Sequence, residues 1–186
     1  MEEINGKTIF IVGDSQVGKT TIARRLFENS NLDLVFSMDE VTVYEVRIPQ
    51  MQSPIKVLEI RNSTFLTENE IGFDYERDVA IFCYAVDDPD SYQHVADTWI
   101  PLFRERGSDT MTMILIGNKK DLRRNAAVER RLAERELKPV HVSRGARLLF
   151  TNPSIEVFLE SSVNDPRDLD EIRLLIIYTI LNFTGH

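Results

Sequence analysis

Cysteine is almost absent from this chain. Cys83 is the single cysteine in 186 residues. That excludes an intramolecular disulfide and fits a reducing compartment. Basic residues are also in deficit: 22 Lys and Arg against 30 Asp and Glu leave a formal net charge of −8. An acidic chain is poorly suited to sequence-independent nucleic-acid binding or to an anionic membrane surface, because both rely on Lys and Arg against phosphate. Histidine is scarce. His94, His141 and His186 are scattered and form no ligand cluster, so they read as ordinary surface or helix residues. Long apolar runs are missing. Leu174 to Leu181 is the longest near the end, far short of the ~20 residues that span a bilayer. Met1 to Gly6 is polar and acidic, so no secretory leader is visible. There is no repeat, low-complexity tract or linker. Residues 1–186 therefore read as one domain, cytosol-facing, with no nucleic-acid partner and no membrane insertion by this chain.

What is present is an alternation of strands and helices. Thr8–Val12 is a short apolar run ending at Gly13, and a helix follows from Lys19 to about Glu28. Val41–Ile48 and Ile55–Ile60 read as strands joined by a turn at Gln50–Pro54, a hairpin. Val79–Val86 is nearly continuous in apolar residues, as a strand buried on both faces should be. Asp87-Asp88-Pro89-Asp90 punctuates before a helix running to about Arg106. Met111–Ile116 and Ile155–Leu159 are two further strands. Asp168–Asn182 is a closing helix, with Leu169, Ile172, Ile176 and Ile180 on one face. The alternation predicts an α/β fold: a six-stranded, mostly parallel sheet with helices on both faces and the ligand site at the carboxyl ends of the strands.

Two short motifs carry chemistry. Gly13-Asp14-Ser15-Gln16-Val17-Gly18-Lys19-Thr20 fits the P-loop pattern and lies between a strand and a helix. A helix N-terminus offers free N–H groups and a positive dipole end to an anionic phosphate. Gly13 and Gly18 let the backbone curl, with Ser15, Gln16 and Val17 between them. Lys19 brings a charge to the terminal phosphates, Thr20 a hydroxyl for Mg²⁺, and Thr21 continues the cradle. The second motif, Asn118-Lys119-Lys120-Asp121, follows a buried strand. A carboxylate at Asp121 accepts from the N1–H and exocyclic amine of guanine, a pair of donors that adenine lacks. Asn118 ties this loop to the base or to the P-loop, and the Lys119 stem lies along the base. The two motifs describe opposite ends of one ligand, GTP or GDP with Mg²⁺.

On these motifs the chain resembles the Ras superfamily of small GTPases, and within it the Rho type. Tyr84-Ala85-Val86-Asp87-Asp88-Pro89-Asp90-Ser91, Trp99-Ile100-Pro101 and Ile116-Gly117-Asn118-Lys119-Lys120-Asp121-Leu122-Arg123 are similar to Rho segments. The resemblance implies a Ras-like P-loop domain with a Rho-type inserted helix, here Asn125–Leu137. It implies that Glu160-Ser161-Ser162-Val163 matches the loop that meets the guanine carbonyl, placing Ser161, Ser162 and Val163 at the base. Trp99-Ile100-Pro101-Leu102 with Glu105-Arg106 also resembles the first GTPase domain of the mitochondrial Rho protein Miro. Protein effectors or regulators are the partners that the resemblance implies.

The switch regions depart from the family. Where relatives have D-T-A-G-Q, this chain has Glu59-Ile60-Arg61-Asn62-Ser63. Glu59 is read either as a longer carboxylate near Mg²⁺ or as a strand-end surface residue. Asn62 replaces the glycine at the γ-phosphate, and Ser63 the glutamine that orients water. The threonine of the first switch falls on Met38 or Ser37, and only Ser37 has a hydroxyl. No C-terminal prenylation box is present, which is expected if the chain is truncated, part of a longer protein, or not anchored that way. Phe27, Phe36, Phe65 and Phe73 read as core, with Phe65 and Phe73 alternatively forming an exposed patch in the second switch. Arg123-Arg124 and Arg130-Arg131 read as a solvated helix face. The expected function is therefore nucleotide binding with slow or absent hydrolysis, acting through protein partners. A competent GTPase switch and a nucleotide-free interaction module are the alternatives. Lys19→Ala should abolish tight nucleotide binding and remove the rise in melting temperature that added nucleotide gives the unsubstituted protein. Parallel melts with and without GDP check this.

Overall fold

The computed structural model describes residues 7–28, 30–48, 53–69, 71, 73, 78–106 and 111–182. Seven strands form one sheet in the order β2-β3-β4-β1-β5-β6-β7. They are β1 Thr8–Val12, β2 Leu32–Ser37, β3 Val41–Val46, β4 Ile55–Ile60, β5 Val79–Ala85, β6 Thr112–Asn118 and β7 Ile155–Glu160. Strand β1 pairs in parallel with β4 and β5, and β5–β6 and β6–β7 are also parallel. The β3–β4 pair is the expected antiparallel hairpin, and β2 adds antiparallel to β3. Part of the turn between β3 and β4, residues 49–52, lies outside the described residues, as do Met1 to Gly6 and the tail from Phe183.

The sheet thus has seven strands rather than six. The extra strand, β2, has an intermediate residue at Leu32 and five exposed ones after it. With no buried face it carries no apolar–polar alternation, the usual strand signal. Phe36 on it is 46% exposed, which corrects its reading as core. Phe27 is buried. Phe65 and Phe73 pack against a core cluster, and Phe73 sits between Phe10 and Phe103, at centroid distances of 4.8 and 5.5 Å.

Central strands with both faces covered explain the apolar runs. Ile9 and Ile11 of β1 and Val79, Ile81 and Cys83 of β5 face one core cluster, shared with α1 Lys19–Leu26 and α7 Pro166–Asn182. Phe10, Val12, Ala80, Phe82 and Tyr84 point the other way. They meet the helical stretch over Pro89–Arg106 and α6 Val142–Thr151, a helix the sequence pattern did not reveal. Helices therefore cover both faces, as two-sided burial requires. Of the predicted apolar stripe on α7, Ile172 and Ile176 are buried. The side chains of Leu169 and Ile180 lie outside those described.

The Asp-Asp-Pro-Asp punctuation works as a helix start. Asp88 caps α3 Pro89–His94 by accepting from Ser91 N–H, and Pro89 takes the first turn, where its missing N–H costs nothing. A wider π turn, Val95–Trp99, follows, in which Ile100 N–H reaches back to Val95 O. It lies just before Pro101, whose ring would clash with the carbonyl four residues back in a regular helix. Then α4 runs from Ile100 to Arg106. The inserted helix is α5 Ala126–Ala133, capped by Asn125 on the N–H groups of Ala127 and Val128. It ends before the predicted Leu137. No described helix is long and apolar enough to cross a membrane.

Candidate functional site

The loop after β1 is held in a shape that only glycine tolerates at two points. Gly13 has φ 143° and Gly18 φ 102°. A Cβ on Gly13 would fall 2.1 Å from the Cys83 carbonyl oxygen, and one on Gly18 would fall 2.0 Å from Asn118 Nδ2. Gln16 adopts φ 65°, a left-handed conformation that costs a non-glycine residue about 1–2 kcal/mol. Ser15 and Gln16 are exposed at the loop's crest, while Val17 is buried beneath it. The α1 N-terminus has no side-chain cap and no acidic residue in its first turn, where Lys19, Thr20 and Thr21 lie. Its first N–H groups have no helical carbonyl to pair with, so it is open to an anion. Lys19, 3% exposed, donates to Gly13 O at 2.8 Å and Asp14 O at 2.6 Å. Burial pushes its pKa down. The Glu59 and Asp14 carboxylates oppose this, and Arg61 adds to it.

The second motif meets this loop directly. Asn118, 2% exposed at the end of β6, donates from Nδ2 to Val17 O at 2.9 Å and accepts from Ser161 Oγ at 3.0 Å. Of the two partners the sequence offered Asn118, the structure supplies the P-loop. Lys119 turns the chain with φ 60° and lies 3.6 Å from Asp87. Asp121 is exposed. Its Oδ1 accepts from Ser162 Oγ at 2.6 Å and its Oδ2 from Asn164 Nδ2 at 2.9 Å. Two carboxylate oxygens carry about four lone-pair sites, so each keeps capacity for another donor. Val163 is 48% exposed beside them. Arg123 is not a solvated helix residue: it donates to Val140 O at 2.9 Å and grips the Glu160 carboxylate with both terminal nitrogens. Arg124, Arg130 and Arg131 are exposed, as expected, although Arg131 also reaches Asp87 O at 2.9 Å.

The residues read from the sequence as switch positions make the following contacts. Asn62 caps the short helix α2 Ser63–Glu68, accepting from Thr64 N–H at 3.1 Å, and donates to Glu40 at 3.3 Å. Ser63 begins that helix. Ser37, at the end of β2, places its hydroxyl 3.1 Å from that of Thr42. Glu59 is a buried carboxylate, 2% exposed, which corrects the surface-residue alternative. It accepts from Thr20 Oγ1 at 2.7 Å through Oε1, and its buried Oε2 has no partner among the described residues. Tyr44 feels this carboxylate. Burial first, and then the Glu59 charge, raise the Tyr44 pKa.

Two features escaped the sequence reading. Arg61 reaches Thr42 Oγ1 at 2.6 Å, Met38 O at 3.2 Å and Glu59 Oε1 at 3.5 Å. His94 Nδ1 pairs with Asp14 Oδ1 of the P-loop. Neither has a local pattern, since each depends on a partner that only the fold brings near.

Comparison with known proteins gives consistent matches. The model of the Ras family matches residues 8–154. Over 181 aligned residues the chain is 27% identical to the Rho-related GTP-binding protein RhoB of Homo sapiens, covering 89% of this chain and 84% of that protein. The RhoB proteins of Mus musculus and Rattus norvegicus match to the same extent.

Gly18→Ala should separate the two loops, because its methyl group takes the place of the Asn118 amide. Nucleotide affinity should fall about 30- to 150-fold, by the ~2–3 kcal/mol of a buried amide left unpaired. Calorimetric titration with GDP checks this.

Proposed function

This chain belongs to the Ras family, and on that footing we propose that it is an atypical Rho-like protein that binds GDP or GTP, hydrolyses GTP slowly or not at all, and acts through protein partners. The observation that carries the reading is the Asn118 side chain, which links the P-loop at Val17 to the second loop at Ser161. The groups suited to a phosphate chain and those suited to a guanine edge are thereby built as one surface.

In this reading the uncapped N-terminus of α1 takes the phosphates, with Lys19 swinging from its loop carbonyls to the terminal ones. Asp121 accepts from guanine N1–H and the exocyclic amine, held in place by Ser162 and Asn164. Adenine would cover that carboxylate without the matching pair of donors, a strong source of discrimination. Thr20 and Glu59 suit a Mg²⁺ ion: a hydroxyl and a carboxylate converge, and the orphaned Glu59 Oε2 is an oxygen in need of a partner. The ion would screen phosphate charge.

The expectation of weak hydrolysis rests on the switch side chains. Asn62 is used as a helix cap, Ser63 is too short to hold water where a glutamine would, and the Ser37 hydroxyl is hydrogen-bonded to that of Thr42. A nucleotide shifts a conformational equilibrium only by its differential affinity for the two states. With few γ-phosphate contacts, GDP and a non-hydrolysable GTP analogue should bind within about tenfold of each other, ~1.4 kcal/mol. Single-turnover phosphate release should be slower than the on the order of 10⁻⁴ per second of unassisted Ras proteins. Ser63→Gln alone should not raise it, because Asn62 and the first switch are unchanged. A hundredfold GTP preference with Ras-like release would instead identify a working switch.

A further inference from the structure

The carboxylate that faces Thr20 already has a cation beside it. The Arg61 guanidinium lies 3.5 Å from Glu59 Oε1. Its place is not that of a loose surface side chain. The same guanidinium donates to Thr42 Oγ1 at 2.6 Å, to Met38 O at 3.2 Å and to Asp39 O at 3.5 Å. Its own backbone N–H is fixed on Glu40 O at 2.8 Å. The turn between β2 and β3 and the end of β4 therefore aim it from several directions.

A buried carboxylate is costly unless paired, and an arginine cannot release its proton to escape the pairing. We propose that Arg61 is a built-in counter-ion of the Glu59 carboxylate, so that Mg²⁺ binds weakly there and nucleotide is retained largely without it. The inference rests on the proposed nucleotide site. The contacts form a continuous chain, Ser37–Thr42–Arg61–Glu59–Thr20. It joins the first switch, the end of β4 and the start of α1, the three elements that a Mg²⁺ ion would otherwise hold together. A divalent cation entering beside Glu59 would face a fixed positive charge next to its ligand, which weakens its binding by Coulomb repulsion. Ser37, the remaining hydroxyl suited to the ion, is tied into the arginine's own network through Thr42. Arg61, held beside the Glu59 that accepts from Thr20, would leave a positive charge near the start of α1 when the metal is removed.

The test uses the full chain loaded with a fluorescent GDP analogue in excess Mg²⁺, followed by release on adding EDTA. For the unsubstituted protein, EDTA should speed release by less than about tenfold. For Arg61→Ala it should speed release by more than about a hundredfold, and the Mg²⁺ concentration that restores slow release should fall. Arg61→Lys, which keeps a charge, should stay near the unsubstituted ratio. Thr42→Val, which frees the guanidinium's shortest tie, should lie above it and serves if Arg61→Ala does not fold. A ratio above about a hundredfold in the unsubstituted protein, or equal ratios in it and in Arg61→Ala, would overturn the proposal. If no variant retains the analogue even in excess Mg²⁺, the nucleotide site itself is wrong, and this inference falls with it.

Discussion

Asn118 is the residue on which the candidate site depends. Its amide donates 2.9 Å to the Val17 carbonyl while its oxygen accepts from Ser161 at 3.0 Å, all at buried atoms. The P-loop and the loops after β6 and β7 leave three different strands of a parallel sheet. Without a tie they would be three independent surface loops, each free to move. The close approach also explains why Gly18 has no side chain, since the space belongs to the Asn118 amide. Backbone conformation in one loop and side-chain chemistry in another are thus a single constraint. Behind them, Lys120 reaches Asp168 on α7 at 2.5 Å, and Arg123 holds Glu160. The loop after β6 is thereby braced against α7 and β7.

The opposite end of the site is organised by charge. Lys19, Glu59 and Arg61 form a buried or half-buried set in which one carboxylate faces two cations. Burying charges is tolerable only when they are paired and hydrogen-bonded. Here the pairing draws in Thr20, Thr42 and Ser37, and with them the β2–β3 hairpin. The segment that holds Ser37 is laid down as a sheet strand, with its hydroxyl beside that of Thr42. The same arrangement suits a protein that holds a nucleotide steadily and reads the third phosphate poorly.

Much of this was legible in the sequence because it is local. Gly13 and Gly18 mark the tight loop into α1 by spacing alone, and the apolar runs of β1, β5 and β6 announce a sheet covered on both faces. The Asp88-Pro89 helix start is likewise written in neighbouring residues. What stayed hidden depends on partners distant in sequence. Strand β2 has no buried face, so its residues carry no period, and its existence rests on hydrogen bonds to β3. Arg61 carried no reading of its own in the sequence, and only its approach to Glu59 and Thr42 gives it meaning. Arg123 read as solvated because Glu160, its partner, lies 37 positions away. Glu59 was ambiguous for a similar reason. A strand-end carboxylate is buried or exposed according to what the hairpin and α1 place over it.

The central claim is that these loops form a site for guanine rather than for nucleotides at large. A calorimetric titration of the purified, nucleotide-stripped chain with GDP and with ADP, in the same buffer, tests it most directly. GDP should bind at least ~10⁴-fold more tightly than ADP, because adenine would cover the Asp121 carboxylate without offering it guanine's pair of donors. Equal affinity for the two, or binding of neither, would contradict the account.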